Sequence, residues 1–378
     1  MSSWSGKYVI GLTGNIATGK SVVRKMLEHQ GAYGIDADAL SHRAFAKGAP
    51  GYRPVLESFG RWILGSDEQI DRSKLSRVVL SDPEALKRLE EIIHPLVRQA
   101  VDVLVRRSRQ KVIVIEAIKL LESPIRQGCD SIWVTYAPPE IQLARLMQKR
   151  GMTEDVARQR ISVQPSQEEK IAVAKVIIRN EGSFEDTWRQ VLAAWQQQFP
   201  AEEAMPARPA VTVKKGELSV EKARPRQAAE LASFINKVSG GIRKLKGEDI
   251  MAAFGEKAFL TLQMDSQLVG LVGWQVENLV ARTDDVYLES ALSLASAMKI
   301  LLAEVERVSR DLQCEASLLF VSTQLARREE VWRELGYEPR SVPSLGVRAW
   351  QEAANETMAV GEVLYFKQLR KDRVLRPV

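Results

Sequence analysis

The stretch Gly11–Ser21, GLTGNIATGKS, decides the fold of the first part of this 378-residue chain. It follows the apolar run Tyr8–Ile10 and contains the pattern G-x-x-x-x-G-K-S, which begins at Gly14. Glycines let successive backbone N–H groups turn inward around phosphate oxygens, while the lysine and serine reach the outer phosphates and a magnesium ion. The helix predicted next, Ser21–Gln30, directs its positive end at the same anion. The alternative is a glycine-rich turn with a coincidental lysine, but a strand before the pattern and a helix after it favour a phosphate-binding loop.

The overall composition is that of an ordinary globular protein, with 45% hydrophobic and 27% charged residues. The length is sufficient for two domains or three. No apolar run is long enough to span a bilayer and no signal peptide is evident, so we predict a cytoplasmic protein that does not enter a membrane. Cys129 and Cys314 lie far apart, and the histidines show no metal-ligand spacing, so neither a disulfide framework nor a zinc site is predicted.

The net charge of +6 is compatible with nucleic acid or with small polyanionic ligands. The densest basic runs, Val105–Lys111 and Leu369–Arg376, are not interleaved with aromatic residues and match no nucleic-acid-binding motif. We therefore predict no nucleic-acid partner, and we interpret these runs as solvated helix ends and a tail. A nucleotide site would account for part of the positive charge.

The first half of the chain alternates strand and helix patterns. Short runs, most of them β-branched, predict strands at Tyr8–Leu12, Tyr33–Asp36, Val112–Glu116, Ser131–Tyr136 and Val176–Arg179. Such alternation is typical of an α/β fold, a parallel sheet with helices on both faces. The phosphate-binding loop would then lie at the carboxyl end of the first strand, where such sheets bind ligands.

The second half follows a different pattern. We predict a domain over 1–200, a linker over 201–216, rich in proline and mixed charge, and an α+β domain over 217–378. The second domain would contain a strand and a helix, a hairpin turning at Asp265–Ser266, a long helix over 290–313, a strand over 314–322, a helix over 323–335 and a last strand within 360–369.

Two aspartates, Asp36 and Asp38, follow the second predicted strand. In an extended chain, residues two apart point to the same side, so both carboxylates would face one cleft. A carboxylate at this place can accept the proton of a hydroxyl as it is phosphorylated. Alternatively, Asp38 is the N-cap of the helix that follows. The two roles are compatible, and the pattern does not decide between them.

A third acidic residue, Glu116, ends the apolar strand predicted at Val112–Glu116. Near a phosphate-binding loop, such a residue can hold Mg²⁺ or its water. The alternative is a solvated glutamate at a strand end.

A cationic segment and a histidine complete the candidate residues. The segment contains Arg145, Lys149, Arg150, Arg158 and Arg160. It is compatible with a mobile lid over ATP that excludes water and neutralises charge, or with a helical hairpin stabilised by pairs such as Glu154 with Arg158. His94-Pro95 predicts the end of one helix and the start of another, and a lone histidine there is more often a packing residue than a catalyst.

Taken in order, these segments resemble the dephospho-CoA kinase family, which catalyses the last step of coenzyme A synthesis. The resemblance runs from about Lys7 to Phe199. It rests on GLTGNIATGKS, IDAD, IIHPLVR, the RLM stretch with its later arginine and glycine, and an ending made of Gln164, Glu169-Lys170, Ala174, Val176-Ile177, Asn180 and Gly182.

This resemblance implies ATP and Mg²⁺ as cofactors and dephospho-CoA as substrate. The ATP phosphates would be bound by Gly14, Asn15, Ile16, Ala17, Thr18, Gly19, Lys20 and Ser21. Magnesium would be held by Ser21 and Glu116. Asp38 would accept the proton of the ribose 3′-hydroxyl, with Lys20 and Arg145 as the other catalytic residues. Asp36, His94 and Arg98 would contact or shape the substrate side.

Three positions depart from the family pattern. Glu116-Ala117-Ile118-Lys119 stands where the family has an aspartate and a proline-containing run, Lys149 stands where arginine is usual, and Lys175 replaces an aspartate. The proposed triad of Lys20, Asp38 and Arg145 is intact.

Residues from about 217 to 372 resemble the GNAT acetyltransferase superfamily in their order of elements and in VWRELGYEP, Val331–Pro339. The glycine-rich turn that binds pyrophosphate in that superfamily is absent from Tyr287–Leu302, and Trp332 stands where a catalytic tyrosine is common. The resemblance therefore implies a non-catalytic module that binds CoA or acetyl-CoA, or a regulatory one. The alternatives are a bifunctional kinase and N-acetyltransferase, a CoA-sensing binding protein with a weak kinase, and, for the first half, a nucleoside monophosphate kinase.

Overall fold

The structure is a computed structural model that describes residues 4–200, 216–372 and 374–375, with the backbone alone at 149 and 150. The predicted linker therefore lies, apart from its last residue, outside the described residues. No described helix combines the length and the apolar character needed to cross a bilayer.

The N-terminal half is built on five parallel strands in the order β2-β3-β1-β4-β5. The strands are β1 (Tyr8–Thr13), β2 (Tyr33–Asp36), β3 (Val112–Glu116), β4 (Ser131–Tyr136) and β5 (Val176–Arg179). This confirms the predicted parallel sheet, with β1 one residue longer than predicted. The central strands are apolar along their length because helices cover both faces of the sheet.

Nine helices accompany this sheet among the residues described. They are α1 (Lys20–His29), α2 (Ala37–Ala44), α3 (Tyr52–Phe59), α4 (Arg72–Ser81), α5 (Pro83–Arg107), α6 (Pro139–Arg150), α7 (Glu154–Ser162), α8 (Gln167–Ala172) and α9 (Phe184–Gln198). Short 3₁₀ turns lie at Arg61–Ile63 and Pro124–Gly128.

The predicted break at His94-Pro95 is wrong, because α5 runs through both residues as one helix of 25 residues. Proline removes one backbone hydrogen bond from a helix interior. The buried stripe of α5 continues on both sides of Pro95, from Ile93 to Val97 and Leu104, so packing against the core outweighs that loss.

The C-terminal half contains a mixed sheet of seven strands in the order β11-β12-β10-β9-β8-β7-β6. The strands are β6 (Leu218–Lys222), β7 (Ala258–Met264), β8 (Gln267–Glu277), β9 (Val280–Leu288), β10 (Ala316–Ser322), β11 (Glu338–Pro339) and β12 (Glu362–Gln368). β9 and β10 are parallel, and the other neighbouring pairs are antiparallel. The α+β prediction is confirmed.

The helices of this half cover both faces of its sheet. They are α10 (Ala228–Val238), α11 (Gly247–Ala253), α12 (Leu294–Asp311), α13 (Thr323–Ala326), α14 (Glu329–Glu334) and α15 (Arg348–Thr357), with 3₁₀ turns at Pro225–Gln227 and Val342–Ser344.

Two predictions in this half need correction. The long helix begins at Leu294 because Ser293 caps it by accepting a hydrogen bond from the Ser296 N–H. The helix predicted over 323–335 is divided into α13 and α14. Strand β9 was not predicted, since its Asp284-Asp285 pair interrupts the apolar pattern.

Candidate active site

The phosphate-binding loop connects the carboxyl end of β1 to the first turn of α1. Gly14 and Gly19 have φ values of 153° and 93°. A Cβ atom at Gly14 would overlap Thr135, and one at Gly19 would overlap the side-chain amide of Asn180. Both positions therefore require glycine, for backbone conformation and for space.

Lys20 and Ser21 open helix α1 at the base of this loop. The side chain of Lys20 is buried, and its Nζ donates to the Asn15 carbonyl at 3.2 Å. The Ser21 hydroxyl donates to Glu116 Oε1 at 2.9 Å. Glu116 Oε2 accepts from Arg24 Nε at 2.7 Å, so this buried carboxylate is shared between a serine and an arginine.

Ser21 and Glu116 fit a magnesium ion chemically, because Mg²⁺ prefers oxygen ligands and is usually held by few protein groups together with substrate phosphates and waters. Within the described residues, no group of three or more His, Cys, Asp or Glu side chains could hold a metal ion on its own. A metal at this place would therefore depend on oxygens from the nucleotide and water.

The two aspartates occupy different places from those expected for an extended chain. β2 ends at Asp36, which is the N-cap of α2 and accepts from the Ala39 N–H at 2.8 Å. Asp38 lies in the first turn of α2 and accepts from the Ile118 N–H at 3.0 Å. The expectation that both residues extend the strand is wrong, and so is the alternative of Asp38 as N-cap. The cap belongs to Asp36, which has the extended backbone that this position requires.

Burial raises the pKa of Asp38, and the nearby Glu116 carboxylate adds to this effect. The hydrogen bond from Ile118 and the positive charges of Lys20 and Lys170 oppose it. A raised pKa makes a carboxylate a stronger base, which suits Asp38 to accept a proton.

Lys170 was not among the predicted site residues. It is 2% exposed, and its Nζ donates to the Ile118 carbonyl at 3.1 Å, so Ile118 connects it to Asp38. Burial lowers the pKa of Lys170, and Lys20 lowers it further. A buried lysine near a second lysine is unusual outside functional sites. Lys170 belongs to the Glu169-Lys170 pair of the family pattern, but its position in the sequence does not by itself indicate a role in the site.

Asp38 lines a cavity of about 260 Å³ together with His94 and Arg98 of α5. Lys119, one of the departures from the family pattern, lines the same cavity and pairs with Glu90 at 3.0 Å. The structure thus brings three of the predicted residues to one opening. Asp36 lies elsewhere, at a separate small cavity between the two halves of the chain.

Arg145 holds the phosphate-binding loop from the side of α6. Its guanidinium donates to the Ala17 carbonyl at 3.1 Å and to the Asn180 carbonyl at 2.9 Å. Asn180 in turn donates to the Thr18 carbonyl at 3.0 Å. The family pattern contains Asn180 without indicating a role for it, and in the structure this residue supports the loop.

The predicted lid lies against the same loop. Between α7 and α8, Gln164 accepts from the Ile16 N–H at 2.7 Å, and the Pro165 carbonyl accepts from Asn15 Nδ2 at 2.9 Å. Arg158 pairs with Glu154 at 2.7 Å, as the helical-hairpin alternative expected, and Arg160 is exposed. The side chains of Lys149 and Arg150 lie outside the described residues.

The titration of Asp36 gives the first testable prediction. Burial, with Glu116 nearby, raises its pKa to about 7. In the unfolded chain the group ionises near pH 4, so the native state loses stability as the pH rises from about 4 through about 7. Asparagine keeps the cap but cannot ionise. We expect Asp36→Asn to raise the midpoint of thermal unfolding at pH 8, with little effect at pH 4.

Asp71 provides a control of opposite sign for this measurement. It is also an aspartate N-cap, of α4, but hydrogen bonds from Lys74 and Ser73 lower its pKa. Asp71→Asn should therefore lower the midpoint at pH 8. An Asp36→Asn protein that is less stable than the wild type at pH 8 would contradict the prediction.

A parallel sheet with this loop, a buried lysine at its base, and a carboxyl group of raised pKa beside an open cavity defines a P-loop kinase. The family model for dephospho-CoA kinase matches residues 8–186. A dephospho-CoA kinase from Geobacter metallireducens is 42% identical over 194 residues, which cover 50% of this chain and 96% of that protein. The chain belongs to the dephospho-CoA kinase family.

Solved structures are similar to each half of the chain. The crystal structure of TT1252 from Thermus thermophilus is 30% identical and aligns with a TM-score of 0.47, covering 51% of this chain and 97% of that one. An acetyltransferase of the GNAT family from Staphylococcus aureus aligns at 12% identity with a TM-score of 0.33, covering 40% of this chain and 99% of that one.

Proposed function

We propose that the N-terminal half transfers the γ-phosphoryl group of ATP to the ribose 3′-hydroxyl of dephospho-CoA, which is the final step of coenzyme A synthesis. The observation that carries this proposal is the position of Asp38. Asp38 lines the cavity that it shares with His94 and Arg98, and it is close enough to Lys20 of the phosphate-binding loop for that charge to lower the pKa of its carboxyl group. A donor phosphate at the loop and an acceptor hydroxyl in the cavity would meet beside this group.

The mechanism follows from these positions. The loop residues from Gly14 to Ser21 would bind the phosphates, and Lys20 would stabilise the negative charge that spreads over the transferred group. Asp38 would accept the hydroxyl proton as the new P–O bond forms and the bond to the β-phosphate oxygen breaks. Arg145, which already bonds to the loop, would keep it in position and add positive charge nearby.

Magnesium would be held by Ser21 and Glu116, and when bound it would supply positive charge that offsets the negative charge of the ATP phosphates. Arg24 fixes one carboxylate oxygen of Glu116 and leaves the other directed at Ser21. Glutamate therefore supplies the oxygen for which the family uses aspartate.

The shape of the acceptor side favours a long substrate. A second cavity of about 540 Å³ adjoins the one with Asp38, and the two share Pro95, Arg98, Pro124 and Ile125 in their walls. Dephospho-CoA has an extended arm that needs such a groove, whereas a nucleoside monophosphate does not. His94 and Arg98 are exposed on α5 and would contact the substrate from one side.

The direct test is to incubate the purified full chain with ATP, Mg²⁺ and dephospho-CoA, and to measure CoA by chromatography and mass spectrometry. CoA should form in proportion to enzyme. Nucleoside monophosphates in place of dephospho-CoA should give no diphosphate above background. Folded protein that binds ATP but makes no CoA would rule out this kinase activity.

Lys170 provides a prediction on pH dependence. Its positive charge lowers the pKa of Asp38, so removing that charge raises this pKa further. The base acts in its ionised form, so the acidic limb of the kcat profile should move to higher pH in Lys170→Met. Lys47→Met, which removes an exposed lysine paired with Glu68, should leave the limb unchanged. An unmoved limb, or one at lower pH, in Lys170→Met would exclude this coupling.

We also propose that the C-terminal half, beyond a linker at 201–216, is a non-catalytic module that binds CoA or acetyl-CoA. Trp332 is fully buried and donates to the Leu325 carbonyl at 3.1 Å, so this position offers no acid to a substrate. Tyr337 is also fully buried and bonds to Ser317 at 3.0 Å. Calorimetric titration of CoA into the full chain without ATP would test this proposal, because one site in the kinase cavity and one in the C-terminal half should give two CoA molecules per chain. Turnover of acetyl-CoA with an amine acceptor would favour the bifunctional alternative.

The proposed place of action is the cytoplasm, where ATP is available. The described cysteines, Cys129 and Cys314, are unpaired, which fits a reducing compartment.

A further inference from the structure

The turn between β8 and β9 contacts the kinase half of the chain. Glu277 and Val280 pair across the end of the hairpin, so Asn278 and Leu279 form a two-residue turn. Their φ values are 49° and 61°. Hairpin turns with two positive φ values favour asparagine followed by glycine. Leucine is a strained choice at the second position, and such strain persists only where the surroundings hold it.

The side chain of Leu279 packs against residues of the N-terminal half. Leu279 is 7% exposed and belongs to the same hydrophobic cluster as Tyr33, Leu40 and Leu104 of the N-terminal half. Together with these residues it lines a cavity of about 30 Å³, the size of one water. The side chain that makes this turn unfavourable therefore packs into the kinase core.

Polar contacts fix the same turn to two helices. Lys25 of α1 donates to the Val276 carbonyl at 2.6 Å, and Arg43 of α2 donates to the Asn278 carbonyl at 2.7 Å. Arg43 also pairs with Glu315 at 2.6 Å, and both side chains are buried. Residues 276–279, the clamp turn, thus hold one basic side chain from each helix.

A weaker contact reaches the site itself. Arg24 Nη2 lies 3.9 Å from Glu277, while Arg24 Nε donates to Glu116. Glu116 in turn accepts from Ser21. The clamp turn is therefore connected to the phosphate-binding end of α1 through two buried side chains.

The two helices carry opposite sides of the proposed reaction. α1 begins with Lys20 and Ser21, and α2 carries Asp38 in its first turn. Phosphoryl transfer needs the attacking oxygen in line with the leaving oxygen, so a small shift between donor and acceptor sites is costly. Each site would bind its own ligand without the other, but the rate depends on their alignment.

We propose that the clamp turn is a positioning element of the kinase, by which the C-terminal half sets the phosphate-binding helix α1 relative to the base-carrying helix α2. This inference rests on the proposed function of the N-terminal half. It predicts that loosening the clamp turn lowers kcat while the KM values for ATP and dephospho-CoA stay nearly unchanged.

Leu279→Gly in the full chain is the test. The Asn-Gly sequence that results suits the turn better than the native one, so the hairpin itself is preserved. We expect kcat to fall by about tenfold, each KM to stay within about twofold, and backbone amides of α1 and α2 to exchange faster in the absence of ligands.

The matched control is Ser266→Gly. Asp265 and Ser266 form the corresponding turn between β7 and β8, with φ values of 50° and 63°, and Ser266 is exposed. This variant makes the same backbone change without touching the kinase half, and it should have wild-type kinetics and exchange. If Leu279→Gly fails to fold, Lys25→Met removes the hydrogen bond from α1 to the Val276 carbonyl and leaves the turn and the packing of Leu279 unchanged.

The results of these measurements distinguish a failure of the clamp-turn proposal from a failure of the proposed kinase activity. Wild-type kcat and wild-type exchange in Leu279→Gly would overturn the proposal. A lower unfolding midpoint with unchanged kcat, the protein being fully folded at the assay temperature, would also overturn it, since the turn would then stabilise without positioning. If the wild type makes no CoA, the proposed function fails, while the exchange of α1 and α2 still tests whether the clamp turn holds them.

Discussion

Asp38→Asn should reduce kcat by about 10²- to 10⁴-fold while ATP binds as it does to the wild type. Asparagine keeps an oxygen that can accept the hydrogen bond from the Ile118 N–H, so the first turn of α2 should remain in place. It cannot accept the proton of the attacking hydroxyl near neutral pH. Steady-state kinetics, with ATP affinity measured separately by calorimetry, would give both quantities.

Asp130→Asn is the matched control. Asp130 also accepts a backbone hydrogen bond, from the Val9 N–H at 2.8 Å, but it directly precedes β4 and so lies at the amino end of that strand, away from the loop. Its replacement should leave kcat near the wild-type value. An Asp38→Asn enzyme with wild-type turnover would remove Asp38 as the base, and the acceptor hydroxyl would then lose its proton by another route.

Lys20→Met should reduce kcat/KM by about 10²- to 10³-fold, and here ATP binding should also weaken. Lys20 is buried at the base of the loop, where a positive charge acts on phosphate oxygens with little screening by water. Methionine has nearly the same length without the charge, so the loop should keep its conformation. Kinetics over a range of ATP concentrations would separate the effects on binding and on turnover.

Lys7→Met controls for the loss of a lysine that is held by backbone carbonyls. Lys7 donates to the carbonyls of Ser108 at 2.6 Å and Gln110 at 2.7 Å, and it lies just before β1, at the far end from the loop. Its replacement should leave ATP affinity unchanged. If Lys20→Met binds ATP and turns over like the wild type, the loop would not act through this lysine.

The parallel sheet was predictable because most of its strands are short β-branched runs, and the strands β1 and β3 at its centre are mostly buried. This pattern depends on local sequence. The bounds of β2, β3, β4 and β5 match the prediction. Helix α5 was predicted less well. The sequence around Pro95 predicts a break, and only packing of its apolar stripe against the core explains the continuous helix.

In the candidate site, too, some features follow from local sequence and others depend on tertiary contacts. Gly14, Gly19 and the residues between them could be predicted from sequence because the loop is continuous and its conformation depends on glycine at fixed spacing. The cap at Asp36 and the hydrogen bond from Ile118 to Asp38 could not, since they depend on where β2 ends and on a loop far away in the chain. Lys170 was missed for the same reason.

The sequence by itself determined the phosphate-binding loop, the parallel sheet behind it and the resemblance to dephospho-CoA kinases, because each depends on residues close together or in a fixed order. Only the tertiary structure decided that Asp38, His94 and Arg98 share one cavity, and that Leu279 from the second half packs into the core of the first. Burial and charge at these places come from segments far apart in the chain, and local patterns carry no information about which of them meet.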